Sequence, residues 1–315
     1  MARLLNLRVT AIETVAAGIK TFEIRAPDGG PLPLFTAGAH IDVQLPQAML
    51  RSYSLLNGPA QRDRYLIGVA LDENGRGGSR YLHKQIAVGD VIKTSLPRNR
   101  FPLGAHARRH VFIAGGIGIT PILSMVRHVA GTGASWQLHY AARSRAAAAF
   151  VDELEAHGER VRLRFDDEAG GGFLDVARIV REAPELSDIY CCGPRGMLDA
   201  FIQATSALPS EHVHLESFVS AQPSAENRAF TVELARSKRE FEIPPDATIL
   251  EILLAAGVDA PYSCRLGICS QCRTGVVAGV PDHRDAVLSP AERAAGKSMM
   301  ICCSRAFSER LVLDR

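Results

Sequence analysis

Over the first hundred residues, apolar and polar positions alternate with a period of two. Leu5–Val9, Thr21–Arg25, Ile41–Leu45, Arg51–Leu55, Tyr65–Leu71 and Val91–Ser95 read as strands, with turn clusters at Pro27–Gly30, Pro31–Pro33 and Asn74–Gly78 between them. Many short strands with one helix near Ser79–Gln85 predict an antiparallel β-barrel. From about residue 107 the pattern becomes strand, glycine turn, helix. His110–Ala114, Trp136–Ala141, Val161–Phe165, Ile189–Cys192 and His212–Phe218 are the strands; Ile122–Val129, Ala147–Ala156, Val176–Arg181 and Met197–Thr205 are the helices. That alternation predicts crossover units and an α/β parallel sheet. The polar stretch Ala221–Asn227 reads as a linker. Beyond it, Phe230–Leu234 and Glu240–Ile243 form a predicted hairpin, and Ile249, Ile252, Leu253 and Ala256 share one helical face, an α+β pattern. The expected domains are residues 1–106, 107–222 and 228–315.

Composition narrows the class. Hydrophobic residues make up 47% and charged residues 22% of the 315, a soluble globular balance. The net charge of +2 argues against a nucleic-acid binder that relies on bulk charge. It hides an uneven distribution: residues 1–106 carry +5, residues 107–225 carry −3 and residues 226–315 carry 0. The basic first segment suits a phosphate-bearing ligand. No apolar run approaches the roughly 18–20 residues needed to cross a bilayer, and the N-terminal residues do not read as a signal peptide. The expectation is a cytoplasmic protein with no membrane contact.

The cysteines carry the chemistry. None of the seven occurs before Cys191, and five fall after residue 263. Cys264, Cys269 and Cys272 are spaced C-x4-C-x2-C, and 29 residues separate Cys272 from Cys302. This is the plant-type 2Fe–2S spacing, in which four thiolates complete two iron tetrahedra. A structural zinc site or buried free cysteines are the alternatives, but four-cysteine zinc sites usually pair two separated knuckles. Cys303 adjoins Cys302; in a strand the two would face opposite ways, so only one would reach the cluster. Cys191 and Cys192 end a buried strand.

Two glycine turns point to a nucleotide. Gly115, Gly116 and Gly118 lie between a strand and a helix, followed by Thr120 and Pro121, and Cys192-Gly193-Pro194 ends a later strand. Glycines there let a pyrophosphate approach backbone N–H groups at the carboxyl ends of parallel strands. After the next strand, Arg143, Ser144 and Arg145 include no acid, which suits the 2′-phosphate of NADPH. In the barrel segment, Arg51-Ser52-Tyr53-Ser54 offers an aromatic face, hydroxyls and a cation to a flavin, and Gly75–Ser79, with Gly77 and Gly78, is a second phosphate nest.

Taken in order, these motifs resemble the phthalate dioxygenase reductase family, which includes the vanillate O-demethylase reductases, along essentially the whole chain. The resemblance implies FMN on an antiparallel barrel, a nicotinamide domain and a β-grasp-like ferredoxin domain. Arg51, Ser52, Tyr53 and Ser54 would hold the flavin, with Gly77, Gly78 and Ser79 at its phosphate. Thr120 would lie near the flavin–nicotinamide junction, and Phe218 would cover the ring. Cys302 would be the fourth cluster ligand, and NADH the donor. Electrons would pass from NAD(P)H through FMN to the cluster and on to a Rieske-type oxygenase, with no acid–base residue in a catalytic role. The expected state is a monomer. The rivals are a reductase for another acceptor, a cytochrome or free flavin, and a non-catalytic metal-binding sensor.

Overall fold

The computed structural model describes every residue except 1–3, 47–48, 76, 105–106, 169–172, 219–226, 263–264, 266, 268–269 and 286. The chain divides into two compact units, Met1–Glu216 and Ser217–Arg315.

The first unit opens with β1 (Leu4–Ala16), β2 (Ile19–Arg25), β3 (Ala39–Gln44), β4 (Leu50–Ser54) and β5 (Tyr65–Ala70). Helix α1 (Gly78–Gln85), β6 (Val91–Ser95) and β7 (Arg98–Asn99) follow. These strands form one antiparallel sheet in the order β4-β3-β6-β1-β2-β5, with β7 paired to β3. A single bridge, Leu55 to Ile67, joins the two ends of that order and closes the barrel. Strand β1 is longer than the expected Leu5–Val9. Register shifts at Val9/Ala11 and Thr14/Ala16 bend it, and its first half pairs with β6 while the rest pairs with β2. Inward positions such as Val9, Phe22, Ile24, Ile41, Val43 and Ile67 are buried, as period-two alternation requires.

The rest of this unit is doubly wound. Its elements are β8 (Arg109–Gly115), α2 (Ile119–Val129), β9 (Ser135–Ala142), α3 (Val151–Glu155), β10 (Val161–Phe165), α4 (Val176–Glu182), β11 (Asp188–Cys192), α5 (Arg195–Ala204) and β12 (Val213–Glu216). All strand pairs are parallel, in the order β10-β9-β8-β11-β12. The order reverses between β8 and β11, which makes the carboxyl ends of those two strands the switch point where such sheets bind ligands. The expected helix Ala147–Ala156 is cut to α3 for a specific reason. The Ala149 N–H is bonded to the Tyr140 hydroxyl at 3.1 Å, and Phe150 turns left-handed at φ 64°. The barrel is tied to α2 through buried Asn57: Ser124 donates to its carbonyl at 2.9 Å, and Arg127 donates to the Leu56 carbonyl at 2.7 Å.

The second unit holds β13 (Phe230–Leu234), β14 (Glu240–Ile243), α6 (Ile249–Ala255), β15 (Arg273–Ala278), β16 (Pro281–Asp282), α7 (Pro290–Ala295), β17 (Ser298–Met300), β18 (Arg305–Ala306) and β19 (Arg310–Leu313). Its main sheet is mixed, β14-β13-β19-β15-β17, with β13 and β19 parallel. Helix α6 starts at a capping box in which Thr248 and Glu251 bond each other's backbone. Ile249, Leu250 and Leu253 on this helix are buried in the core of the unit. This is the expected β-grasp-like arrangement.

Candidate functional site

The two motifs assigned to the flavin come together in space. Arg51 and Tyr53 sit half-buried on β4, and buried Gly78 opens α1. A Cβ on Gly78 would come within 2.8 Å of the Arg51 side chain, so only glycine lets the helix start lie against that guanidinium. Gly77 precedes it in a left-handed turn at φ 86°. A helix N-terminus beside an arginine is a ready anion cradle. The hydroxyls have protein partners: Ser52 donates to Asp42 at 2.6 Å, and Ser79 accepts from the Asp72 N–H at 3.0 Å. Burial pushes the Tyr53 phenol up to about 12, so it stays a neutral aromatic face at physiological pH.

At the switch point the two glycine turns pack on each other. A Cβ on Gly118 would strike the Cys192 carbonyl, and one on Gly115 would meet Pro194 at 2.5 Å. These glycines are needed first for turn-on-turn packing. Gly116, at φ 54°, has open space where a Cβ would stand. Thr120 is buried against the barrel; a Cβ on Gly68 of β5 would fall 2.7 Å from its methyl, and its hydroxyl donates to the Ile117 carbonyl at 3.0 Å.

Beside this turn stands a residue that no sequence motif marks. Glu216 ends β12, in register with Cys192, and its carboxyl bonds the buried Ser54 hydroxyl of β4. Among the described residues, its Oε2 has no hydrogen-bond partner. Burial raises its pKa to about 8, only partly offset by Ser54, and leaves a neutral acid at pH 7. Burial also lifts the Cys192 thiol well above its ordinary range. The one sequence signal for Glu216 was an acid at the end of a buried strand.

The remaining nucleotide candidates are more dispersed. Arg143 is exposed after β9, and Ser144 caps the turn that follows by accepting from the Ala147 N–H at 3.2 Å. Arg145 pairs with Glu155 at 2.9 Å. Phe218 is 44% exposed, and Gly193 and Pro194 face the Gly115 turn.

In the second unit, Cys264 and Cys269 lie outside the described residues. Cys272 and Cys302 are both buried, and the Cys302 thiol makes hydrogen-bonding contacts with those of Cys272 and Cys303, which push its pKa up. Residues 301–303 form a turn past β17 rather than a strand, so the expected opposite orientation of Cys302 and Cys303 does not hold. Among the described residues before Cys272, Arg265, Gly267 and Ser270 take left-handed backbone conformations. Gly267 lies against the Cys303 sulfur, which is 3.8 Å from the Met300 carbonyl. Two thiols distant in sequence, those of Cys272 and Cys302, meet here, as a cluster site requires.

A family model for the 2Fe-2S iron-sulfur cluster binding domain matches residues 232–307, and one for the oxidoreductase NAD-binding domain matches residues 112–203. Phenoxybenzoate dioxygenase subunit beta of Ectopseudomonas oleovorans is 51% identical over 309 residues, covering 98% of this chain and 97% of the relative. Tetrachlorobenzoquinone reductase of Sphingobium chlorophenolicum is 48% identical over 318 residues, covering 98% of each. The solved structure of phthalate dioxygenase reductase, described as modular for electron transfer from pyridine nucleotides to 2Fe-2S, is similar at a TM-score of 0.68. It is 41% identical and is matched over 99% of this chain and 98% of its own.

Proposed function

This chain belongs to the phthalate dioxygenase reductase family, and from that premise we propose that it is the reductase component of an oxygenase system. It is an iron–sulfur flavoprotein oxidoreductase of the NAD(P)H-dependent kind. Bound there, a flavin would supply a hydride acceptor for the nicotinamide, and a 2Fe–2S cluster would supply one-electron transfer. The protein's own part is positional. Arg51 and the start of α1 at Gly77, Gly78 and Ser79 hold the FMN phosphate, and Ser52, Tyr53 and Ser54 line the ring site. Gly115, Gly116, Gly118, Cys192, Gly193 and Pro194 form the nicotinamide crevice, with Thr120 at its barrel side and Arg143 and Ser144 toward the ribose. Cys264, Cys269, Cys272 and Cys302 hold the cluster.

The observation that carries the reading is the meeting of Cys272 and Cys302 in a unit of the 2Fe–2S type, on the same chain as a switch-point crevice that opens beside a barrel. The finer assignment is to three domains (1–106, 107–222 and 228–315), NADH as donor, a Rieske-type oxygenase as acceptor, and a cytoplasmic monomer. Among the described residues, no helix is long and apolar enough to cross a membrane.

The test is purification, followed by flavin and iron–sulfide analysis and anaerobic reduction by NADH. The reduced protein is then offered an oxygenase component, a cytochrome, a quinone and free flavin. Released FMN, two irons per chain and fastest turnover with the oxygenase support the reading; a colourless protein sinks it. A quinone acceptor is the second reading, favoured by the 48% identical quinone reductase. Preferential turnover of the quinone would select it.

A further inference from the structure

A groove of about 460 Å³ on the Ser217–Arg315 unit is lined by Arg236, Arg239, Arg273 and Arg315, with Asp259 and Asp314 as its carboxylates. The segment 226–315 carries 12 Lys and Arg against 12 Asp and Glu, so this cationic excess stands out from a neutral background. The way the arginines are held matters more than their number. Arg239 donates to the Ala256 carbonyl at 3.0 Å and lies over the Phe241 ring at 5.0 Å. Arg315 donates to the Asp259 carbonyl at 3.1 Å and to the Thr274 hydroxyl at 3.2 Å. These neutral partners fix the guanidinium groups without cancelling their charge. Arg236 pairs with Asp314 at 3.0 Å yet is 72% exposed, and Arg273 reaches Glu292 at 3.1 Å.

The groove adjoins the cluster site through bonds. Arg273 directly follows Cys272. The Thr274 hydroxyl donates to the Cys272 carbonyl at 3.2 Å while accepting from Arg315. A partner seated here would touch the strand that leaves a proposed cluster ligand.

We propose that this groove docks an acidic surface segment of the electron-accepting oxygenase, an inference that rests on the function proposed above. Its wall comes from four separate stretches of chain: Leu234 to Arg239, Val258–Asp259, Arg273 to Gly275 and Asp314–Arg315. A surface that broad suits a run of carboxylates rather than one small anion. Guanidinium groups bind carboxylates in paired, directional hydrogen bonds, and a cationic face steers an acidic partner before contact.

The experiment uses the full holoprotein with the oxygenase components of the phenoxybenzoate and phthalate dioxygenase systems as probes. Three proteins are compared: wild type, the double variant Arg236→Glu with Arg239→Glu, and Arg228→Glu as a charge-reversal control away from the groove. The double variant should raise KM for the oxygenase by about tenfold at low salt, with kcat kept. The wild type should lose affinity as salt rises, and the double variant should lose that dependence. NADH-to-ferricyanide turnover and the cluster spectrum should stay unchanged in all three, which separates docking from misfolding. Arg236→Gln, which leaves Arg239 on its ring, should give an intermediate KM. A double variant equal to wild type in KM and salt response overturns the groove alone, and so does an equal loss in the Arg228 control. A wild type that reduces ferricyanide but neither oxygenase overturns the functional reading, and the groove with it.

Discussion

The Ser54 hydroxyl at the end of barrel strand β4 is hydrogen-bonded to the carboxyl of Glu216 at the end of β12. One buried acid therefore joins the proposed flavin strand to the outermost strand on the far side of the switch point. Two sheets with different grammars converge on a single proton-bearing group.

That proton sets a measurable pH dependence. Burial raises the folded-state pKa of Glu216 from 4.5 to about 8, so the folded protein binds a proton that the unfolded chain releases. Its contribution is full below pH 4.5, falls as pH rises to about 8, and is constant above that. Glu216→Gln removes the titration. Denaturant unfolding of both proteins should show the variant gaining on wild type from pH 5 to about 8 and no further change beyond. A pH-independent difference between them would mean that Glu216 is already ionised at pH 5.

The glycine turns give a contrast between packing and access. Gly118→Ala forces a methyl into the Cys192 carbonyl and should cost about 2 kcal/mol or more. Gly116→Ala has open space and only a left-handed φ to strain, a cost of about 1 kcal/mol. Gly116→Ala should instead raise KM for the nicotinamide, because its methyl would occupy the open space of the proposed nicotinamide turn. Unfolding curves and NADH kinetics on the two variants separate the effects.

Asp188 anchors the opposite, amino-terminal end of the same sheet. His212 Nδ1 lies 2.8 Å from its Oδ1, His214 Nε2 3.4 Å from its Oδ2, and the Tyr190 hydroxyl donates to Oδ2 at 3.2 Å. Gly104 donates its N–H to that hydroxyl at 2.8 Å, so the chain leading out of the barrel is held here. Burial works to raise the Asp188 pKa, but the nearby His214 ring and the bonds from His212 and Tyr190 together outweigh it and hold it at about 2. Its contribution is full above the unfolded value of 3.8 and is lost as pH falls to about 2. Asp188→Asn should therefore lie furthest below wild type above pH 4, the gap closing in acid. Acid unfolding followed by circular dichroism reads that gap.

The fold and the cofactor set were legible in the sequence because local periods and short spacings encode them. Alternation drew the barrel strands, and C-x4-C-x2-C drew the cluster loop. What escaped depends on contacts between distant segments. Nothing in the residues near Phe150 announces that the Tyr140 hydroxyl will take the Ala149 amide and stop a helix. Gly118 reads as a phosphate glycine, yet its first neighbour is a carbonyl more than 70 residues away. Glu216 gained its role only when β4 and β12 were brought together.

The adjacent pair Cys302 and Cys303 is where strand logic gave way to a turn, and it calls for a direct test. Both sulfurs lie by the loop: Cys302 touches Cys272, while Cys303 lies against Gly267 and points toward the Met300 carbonyl. A plant-type cluster takes four thiolates, and the proposed fourth is Cys302, whose thiol contacts that of Cys272. Cys302→Ser should abolish the visible cluster absorbance and leave flavin content unchanged. Cys303→Ser should retain the iron and sulfide, with at most a shifted reduction potential, because it alters packing under the loop rather than a ligand. Iron analysis and redox titration of the two proteins decide between them: a cluster that survives Cys302→Ser and vanishes in Cys303→Ser would exchange the two roles.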